Sequence, residues 1–277
     1  MGFKTKNGVL LKYEEVGTLE RLGIRKAGET VSVPKSVNRI EDEAFTMTNV
    51  NSVSLPSSVQ SIGEKAFALC ADLESIEIAS GLREIGPNAF DGCHLLRGIT
   101  LPDTVQTVGI WAFCNCCALK NVKLSETLES IPRGMFSGCL CLEEITVPAS
   151  VQHIDTRAFY ACTSLETVTL SAGLRSIGRE AFAGCAVLKQ IYIPETVTEI
   201  CEDAFAGCEE LKTVIIPPSV TKLHPYAFGN NSNVRVITTT TGSVAYQFAL
   251  GSYLDLTYRM HSRCICISLP KVRRLSS

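Results

Sequence analysis

The stretch that decides the fold recurs along the chain and is almost complete at residues 188–208. It reads Leu188-Lys-Gln-Ile191-Tyr-Ile193-Pro194-Glu-Thr-Val197-Thr-Glu-Ile200-Cys-Glu-Asp-Ala204-Phe205-Ala-Gly-Cys208. Its phenylalanine recurs with a constant 23-residue period, at Phe67, Phe90, Phe113, Phe136, Phe159, Phe182, Phe205 and Phe228. Phe45 precedes Phe67 by an interval that is one residue shorter. A fixed interval of this kind indicates a repeat architecture.

Each repeat predicts a coil, or rung, with three sides. The Ile-x-Ile step alternates with period two and is followed in many rungs by proline, which is typical of a short strand. The Val-x-x-Ile-Gly step predicts a second extended segment. The Ala-Phe-x-x-Cys step has the spacing of a single helical or 3-10 turn. One rung cannot bury its own apolar side chains, so we expect the rungs to stack as parallel strands about 4.7 to 4.9 Å apart.

These rungs resemble the BspA-type leucine-rich repeat family, which is known from bacterial and protist surface proteins. The resemblance implies a solenoid at residues 31–240, a right-handed coil of short parallel strands joined by helical or 3-10 turns. It also implies an N-terminal hairpin-like cap at residues 1–30 and a C-terminal helix-strand cap at residues 241–258. Residues 259–277 are basic, with no acid after Asp255, and predict a disordered tail.

Seven of the thirteen cysteines lie at the same position of the repeat, shortly after its phenylalanine. They are Cys70, Cys93, Cys116, Cys139, Cys162, Cys185 and Cys208, and Asn231 takes the place in the last rung. Leucine-rich repeats accept Asn or Cys at this ladder position, a buried site beside backbone carbonyls where a small, weak donor fits. Parallel side chains would hold the Cβ atoms near the rung spacing, beyond the roughly 3.8 Å of a disulfide. We therefore expect free thiols.

The remaining cysteines leave a metal site as an alternative. The runs Cys114-Asn-Cys116-Cys117 and Cys139-Leu-Cys141 could suggest a soft-metal cluster. One member of each run already belongs to the ladder, and zinc sites need spaced cysteine pairs matched by a second pair. We expect no metal and no cofactor.

Composition and motifs argue against several classes of function. A net charge of −2 and a pI near 6.1 give no basic field for nucleic acid or anionic lipid. No run approaches the roughly 18 apolar residues of a membrane span, and the first residues lack an export signal. The chain as written would therefore be cytoplasmic, or at the cell surface or secreted if it is a fragment. Phosphate-loop, dinucleotide, zinc-protease and nucleophile-elbow motifs are absent, so we expect no enzyme.

Binding specificity in a solenoid lies in the outward residues of its strands. The residues between the two strand aliphatics start at Ser54 and end at Thr238. The candidate partner-binding residues among them are Glu77, Thr100, Lys123, Thr146, Thr169, Tyr192 and Ile215. Tyr192 and Ile215 predict an exposed apolar step suited to a partner, because aromatic anchors dominate interface energies. Strand propensity alone also explains Thr, Tyr and Ile here.

The leading hypothesis is a noncatalytic interaction module, a monomer that binds a protein, such as a host or cell-surface partner, as the resemblance implies. A second hypothesis is a structural spacer or surface-display element whose strip of outward residues binds nothing. A third, an enzyme or metal protein, predicts turnover or bound metal, for which the motifs give no support.

Overall fold

The strands of the first side follow the Ile-x-Ile steps. In a computed structural model, the described residues are 2–14, 30–229, 231, 234–238, 243–244, 259–261 and 264–268. The first side consists of β3 Thr30–Ser32, β5 Ser52–Leu55, β7 Ser75–Ile78, β9 Gly98–Thr100, β11 Asn121–Lys123, β13 Glu144–Val147, β15 Thr167–Leu170, β17 Gln190–Tyr192, β19 Thr213–Ile215 and β21 Arg235–Thr238. Each strand between β5 and β19 directs its alternate aliphatic side chains inward, which confirms the predicted period of two.

The second side is a column of two-residue strands at the Val-x-x-Ile steps. It consists of β4 Arg39–Ile40, β6 Ser61–Ile62, β8 Glu84–Ile85, β10 Thr107–Val108, β12 Ser130–Ile131, β14 His153–Ile154, β16 Ser176–Ile177, β18 Glu199–Ile200 and β20 Lys222–Leu223. Within each sheet, neighbouring strands pair in parallel at equivalent positions, as Ile154 does with Ile177. The pairing is interrupted on the first side between β7 and β9, between β11 and β13 and between β15 and β17, and on the second side between β10 and β12. The chain is therefore a stack of rungs in register, as the repeat predicts.

The third side differs from the predicted helical turn. Residues 42–47 and their equivalents in later rungs form consecutive turns, and residues 30–229 contain no helix. The N–H groups of Lys65, Phe67 and Leu69 donate to carbonyls of the next rung, at 2.9, 2.7 and 2.7 Å. Lys65 and Leu69 have positive φ angles of 52° and 58°. A helix would need these N–H groups for bonds within the rung, so the demands of stacking overturn the helical prediction.

A continuous stack of phenylalanine rings fills the centre of the solenoid. From Phe45 to Phe228, adjacent ring centroids are 4.6 to 5.7 Å apart, and adjacent rings are tilted by 15° or less. Tyr13 continues the stack at the N-terminal end, with its ring 5.0 Å from that of Phe45. Sequence reasoning missed Tyr13, because it precedes the phenylalanine series and is out of its spacing.

The described ends of the chain add strands to these ladders. β1 (Gly2–Lys6) and β2 (Val9–Glu14) form an antiparallel hairpin, and β2 pairs in parallel with β4. Within the segment for which the sequence predicts a disordered tail, β22 (Arg259–His261) and β23 (Cys264–Ser268) form an antiparallel pair, and β23 also pairs with β21. Apart from residues 243–244, the predicted cap at 241–258 lies outside the described residues. No helix of the described residues is long and apolar enough to cross a membrane.

Candidate functional site

The outward residues of the first side form a row along the stack, which we name the strip. It consists of Glu77, Thr100, Lys123, Thr146, Thr169, Tyr192 and Ile215. Each lies between two inward aliphatic side chains, so its direction follows from the strand alternation. All of them are exposed except Ile215, which is half-buried. The structure thus places the seven predicted residues on one face.

Strand register sets which strip residues are neighbours. Thr146 lies opposite Thr169, and Tyr192 lies opposite Ile215. In the next rung Ile237, and not Thr238 as predicted, lies opposite Ile215. The spacing from the repeat phenylalanine to the strand is one residue shorter there, a slip that the uniform count of the repeat could not reveal.

Tyr192 is the most prominent apolar feature of the strip. Its side chain is 59% exposed, and its hydroxyl donates to Oε1 of Gln190 at 3.4 Å. Ile215 was predicted to share an exposed apolar step, but strands flank it on both sides and half-bury it. The aromatic ring of Tyr192 is therefore the principal element of the apolar step.

Charges beside the strip pair with one another along the stack. Arg97 Nη2 lies 2.9 Å from Glu74 Oε2, and Lys120 Nζ lies 2.8 Å from Glu143 Oε1. Lys189 forms the same kind of pair with Glu166. Exposed pairs of this kind contribute about 0 to 1 kcal/mol each. Their main effect is to cancel local charge, which leaves a largely neutral, hydroxyl-rich surface beside Tyr192. Sequence reasoning missed these pairs, although opposite charges one repeat apart are a readable signal.

The ladder cysteines occupy the predicted buried site beside backbone carbonyls. The thiol of each one donates to the carbonyl of a phenylalanine in the preceding rung, at 2.9 to 3.3 Å. Asn231 makes the equivalent bond to the Phe205 carbonyl at 2.6 Å. Burial raises the pKa of Cys162 and of Cys208 to about 12. A thiol held neutral in this way is a structural donor and a poor nucleophile.

The cysteines outside the ladder are divided between interior and surface. Cys114 is buried, and burial followed by the charge of Asp91 raises its pKa to about 12. Cys117 is half-buried, Cys141 is exposed, and the eleven cysteines whose side chains are described are free thiols. Among the described residues, no group of three or more His, Cys, Asp or Glu side chains could hold a metal ion.

A depression of about 480 Å³ lies where Cys201 and His224, in two successive rungs, occupy the position that is glycine in four other rungs. Its charged lining residues pair with each other, since Lys222 lies 3.6 Å from Glu199 and Arg179 lies 3.4 Å from Glu202. The Nδ1 atom of His224 accepts from the backbone N–H of Tyr226 at 3.2 Å. The depression therefore offers no evident set of groups for binding or catalysis.

Comparison with known proteins agrees with this architecture. The sequence profile of the BspA type Leucine rich repeat region matches six copies, over residues 27–140 and 109–235. A leucine-rich repeat protein of T. pallidum is 30% identical, with a TM-score of 0.55 over 65% of this chain and 82% of that one. One from Bacteroides ovatus is 24% identical, with a TM-score of 0.51 over 84% of this chain and 79% of that one. No curated protein sequence matches.

These similarities confirm the leucine-rich-repeat solenoid that the sequence predicts. Proteins of this repeat class are generally non-enzymatic interaction or surface modules. The comparisons name no partner for this chain.

Proposed function

Because the chain belongs to the BspA-type leucine-rich repeat family, we propose that it is a noncatalytic module that binds a protein through the strip. The observation that carries this proposal is the exposure of Tyr192 in a row of outward side chains, where Thr146 and Thr169 precede it. Aromatic residues that become buried on association supply much of the energy of protein interfaces.

The surroundings of Tyr192 support its role as an anchor. Its neighbour in register is the half-buried Ile215, so an aliphatic residue lies beside it on the next strand. Thr146 and Thr169 extend the surface toward the middle of the stack. A row of hydroxyl groups on a rigid sheet loses little conformational entropy on binding. A protein that inserts an apolar side chain beside Tyr192 and lies along the threonines is the kind of partner that fits.

The lack of an assembled reactive group supports the noncatalytic part of the proposal. The His153 Nδ1 atom lies 2.8 Å from the Ser176 hydroxyl, but both residues are on an exposed ladder and not in a cleft. A nucleophile and base need a third group that orients the base and a site that excludes water. Asp155 lies close enough to His153 for their charges to interact, but His153 is exposed, so the pair lacks a site that excludes water.

Equilibrium binding with matched tyrosine variants tests the proposal. A partner is first isolated on the immobilised chain, purified, and shown to bind in a saturable way by calorimetry. We expect Tyr192→Ser to weaken this binding at least tenfold and Ile215→Ser to weaken it less, since aromatic anchors exceed aliphatic ones. Tyr226→Ser is the control, because Tyr226 is 64% exposed but lies outside the strip.

The results distinguish the two noncatalytic hypotheses. Equal affinities for the wild type, Tyr192→Ser and Tyr226→Ser would remove the strip from the binding surface. If in addition charge reversal at Glu77 and Lys123 changes nothing, the spacer or display role is favoured. Circular dichroism and unfolding curves for each variant establish that the solenoid is intact before affinities are compared.

A further inference from the structure

Two thiols outside the ladder lie together on the surface of the stack. Cys117 and Cys141 belong to neighbouring rungs, and the backbone N–H of Cys141 donates to the Cys117 carbonyl at 3.1 Å. Cys117 is half-buried and Cys141 is exposed. Neither takes part in the contacts that hold the phenylalanine stack or the cysteine ladder together. We call Cys117 and Cys141 the thiol pair.

Each member of the thiol pair has a nitrogen-bearing neighbour. The Cys117 sulfur lies 3.7 Å from Nδ1 of His94, and that ring nitrogen also lies 3.1 Å from the Asn115 carbonyl. The charge of Cys141 contributes, after the hydrogen bond and charge of Glu143, to raising the pKa of Lys120. Histidine and lysine neighbours are typical of cysteines that react as nucleophiles.

We infer that the thiol pair is a modification site, at which thiol–disulfide exchange with a small disulfide joins Cys117 to Cys141. The Cys117 sulfur, having lost its proton to solvent, attacks one sulfur of the small disulfide, breaks its S–S bond and releases one thiolate. The Cys141 sulfur, likewise deprotonated, then attacks Cys117 in the mixed disulfide and expels the second thiolate. Two protein thiols and one small disulfide thus give one protein disulfide and two small thiols.

The backbone geometry permits the second step. A direct hydrogen bond between the two backbones corresponds to a separation near the usual strand spacing, about 4.8 Å. The Cα atoms of disulfides are about 4.4 to 6.8 Å apart. Ladder cysteines share such a spacing, but their buried side chains are fixed by bonds to phenylalanine carbonyls. The interval from Cys117 to Cys141 is one residue longer than the repeat, and neither side chain is fully buried.

Mass spectrometry of the folded chain after treatment with bis(2-hydroxyethyl) disulfide tests the inference. We expect a crosslinked peptide that joins Cys117 to Cys141 and lacks two hydrogens, with no mercaptoethanol retained on either residue. In Cys141→Ser the reaction should stop at one mercaptoethanol adduct on Cys117. Cys201→Ser is the matched control, because Cys201 is half-buried on another part of the stack. Its substitution should leave the crosslink unchanged.

Three outcomes would overturn the inference. They are a stable adduct on Cys117 with Cys141 still reduced, a disulfide from either residue to a ladder cysteine, and no reaction at either residue while the chain remains folded. The urea midpoint gives a second readout. Closing a link between neighbouring rungs should raise it in the oxidised wild type, and the same treatment of Cys141→Ser should not.

Discussion

The carbonyl of each repeat phenylalanine shows why cysteine suits its ladder position. The Phe113 carbonyl accepts a bond from the backbone N–H of Cys116 in its own rung at 3.4 Å. It accepts a second bond from the thiol of Cys139 in the next rung at 3.2 Å. Cys139 has no solvent exposure, so a larger donor would have to displace core atoms. A thiol satisfies the carbonyl and fills the space as a small apolar group.

Cys139→Ala should destabilise the chain by about 1 to 2 kcal/mol, because it removes a buried sulfur and one hydrogen bond. Cys201→Ala should cost less than about 0.5 kcal/mol, since surface substitutions usually have small effects. Urea unfolding at neutral pH measures both. Equal losses for the two variants would contradict a structural role for the ladder.

The raised pKa values of the ladder thiols predict that the free energy of unfolding falls in alkaline solution. Ladder thiols ionise near 9.0 when unfolded, but burial raises the folded values for Cys162 and Cys208 to about 12. The stability that these thiols contribute is therefore fully present below pH 9 and lost as pH rises toward 12. Each one should add about 1.4 kcal/mol per pH unit to the decline. Unfolding free energies at several alkaline pH values should fall less steeply in a Cys162→Ala, Cys208→Ala double variant, and identical slopes would count against the mechanism.

At the scale of a single repeat, glycine permits close approach between rungs. A Cβ atom on Gly86 would lie 2.6 Å from the Gly63 carbonyl carbon and 2.7 Å from the Glu64 nitrogen. These are backbone atoms held by the ladder, so neither can move freely. Gly207 is different, because an added Cβ would have only ordinary contacts, at 3.5 Å or more, but its φ is +68°. Substitution of Gly86 therefore tests crowding between rungs, and substitution of Gly207 tests backbone strain.

Gly86→Ala should destabilise the chain by at least about 3 kcal/mol, at the upper end of the cost of overpacking. Gly207→Ala should cost about 1 kcal/mol, because the left-handed conformation is unfavourable for alanine and the loss of unfolded-state freedom offsets part of this. Thermal unfolding should rank the variants in that order. A milder effect at Gly86 than at Gly207 would show that the rungs can separate.

The strands could largely be predicted from the sequence, whereas the conformation of the third-side turn could not. The alternation of aliphatic residues located the first strand column and the direction of the strip, and the Val-x-x-Ile-Gly step located the second column. The Ala-Phe-x-x-Cys spacing suggested a helical turn, because that spacing also matches one turn of a helix. The backbone N–H of Lys65 donates to the Pro87 carbonyl of the next rung and not to a carbonyl of its own rung. This partner depends on the stacking of the rungs, which the local residue spacing does not show. Positive φ at the bulky Trp111 was unreadable for the same reason.

At the scale of the whole molecule, the described rungs pack against the rungs before and after them. The phenylalanine stack shows this, since every ring from Phe67 to Phe205 packs between the rings before and after it. Stability in such a stack is approximately a sum of rung and interface contributions. Whole rungs should therefore be removable, and fractions of a rung should not.

Deletion of residues 121–166, two complete rungs, should leave a cooperative fold with a lower melting temperature, because the strands, phenylalanines and ladder cysteines rejoin in register. Deletion of residues 121–155 should prevent folding, because residues of a third-side turn would then follow residue 120, where the stack needs a first-side strand. Circular dichroism and calorimetry of the two proteins make the comparison. Similar melting behaviour would contradict a stack of equivalent rungs.

The location of the candidate site could be predicted, but its details could not. The repeat identified the outward residues, because the strand positions on either side of them hold the aliphatic side chains of the core. The half-burial of Ile215 reflects the strands on both sides of it, and the slip that brings Ile237 opposite it arises from a shorter final rung. The shorter rung changes which residues lie opposite each other, and this depends on how the strands pair in the folded chain. The thiol pair was visible in the sequence only as part of a possible metal cluster. The repeat position distinguishes Cys116 from Cys117, but only burial in the structure separates Cys117 from Cys114.

Photo-crosslinking tests the central claim, that the strip is the binding face, most directly. A benzophenone side chain placed at Thr169 on the strip should crosslink to a purified, saturably bound partner. The same group at Ser176, on the neighbouring second-side ladder of the same rung, should not. Crosslinks from Thr169 alone are the result that we predict. Crosslinks from Ser176 alone, or equal yields from both positions, would contradict the claim.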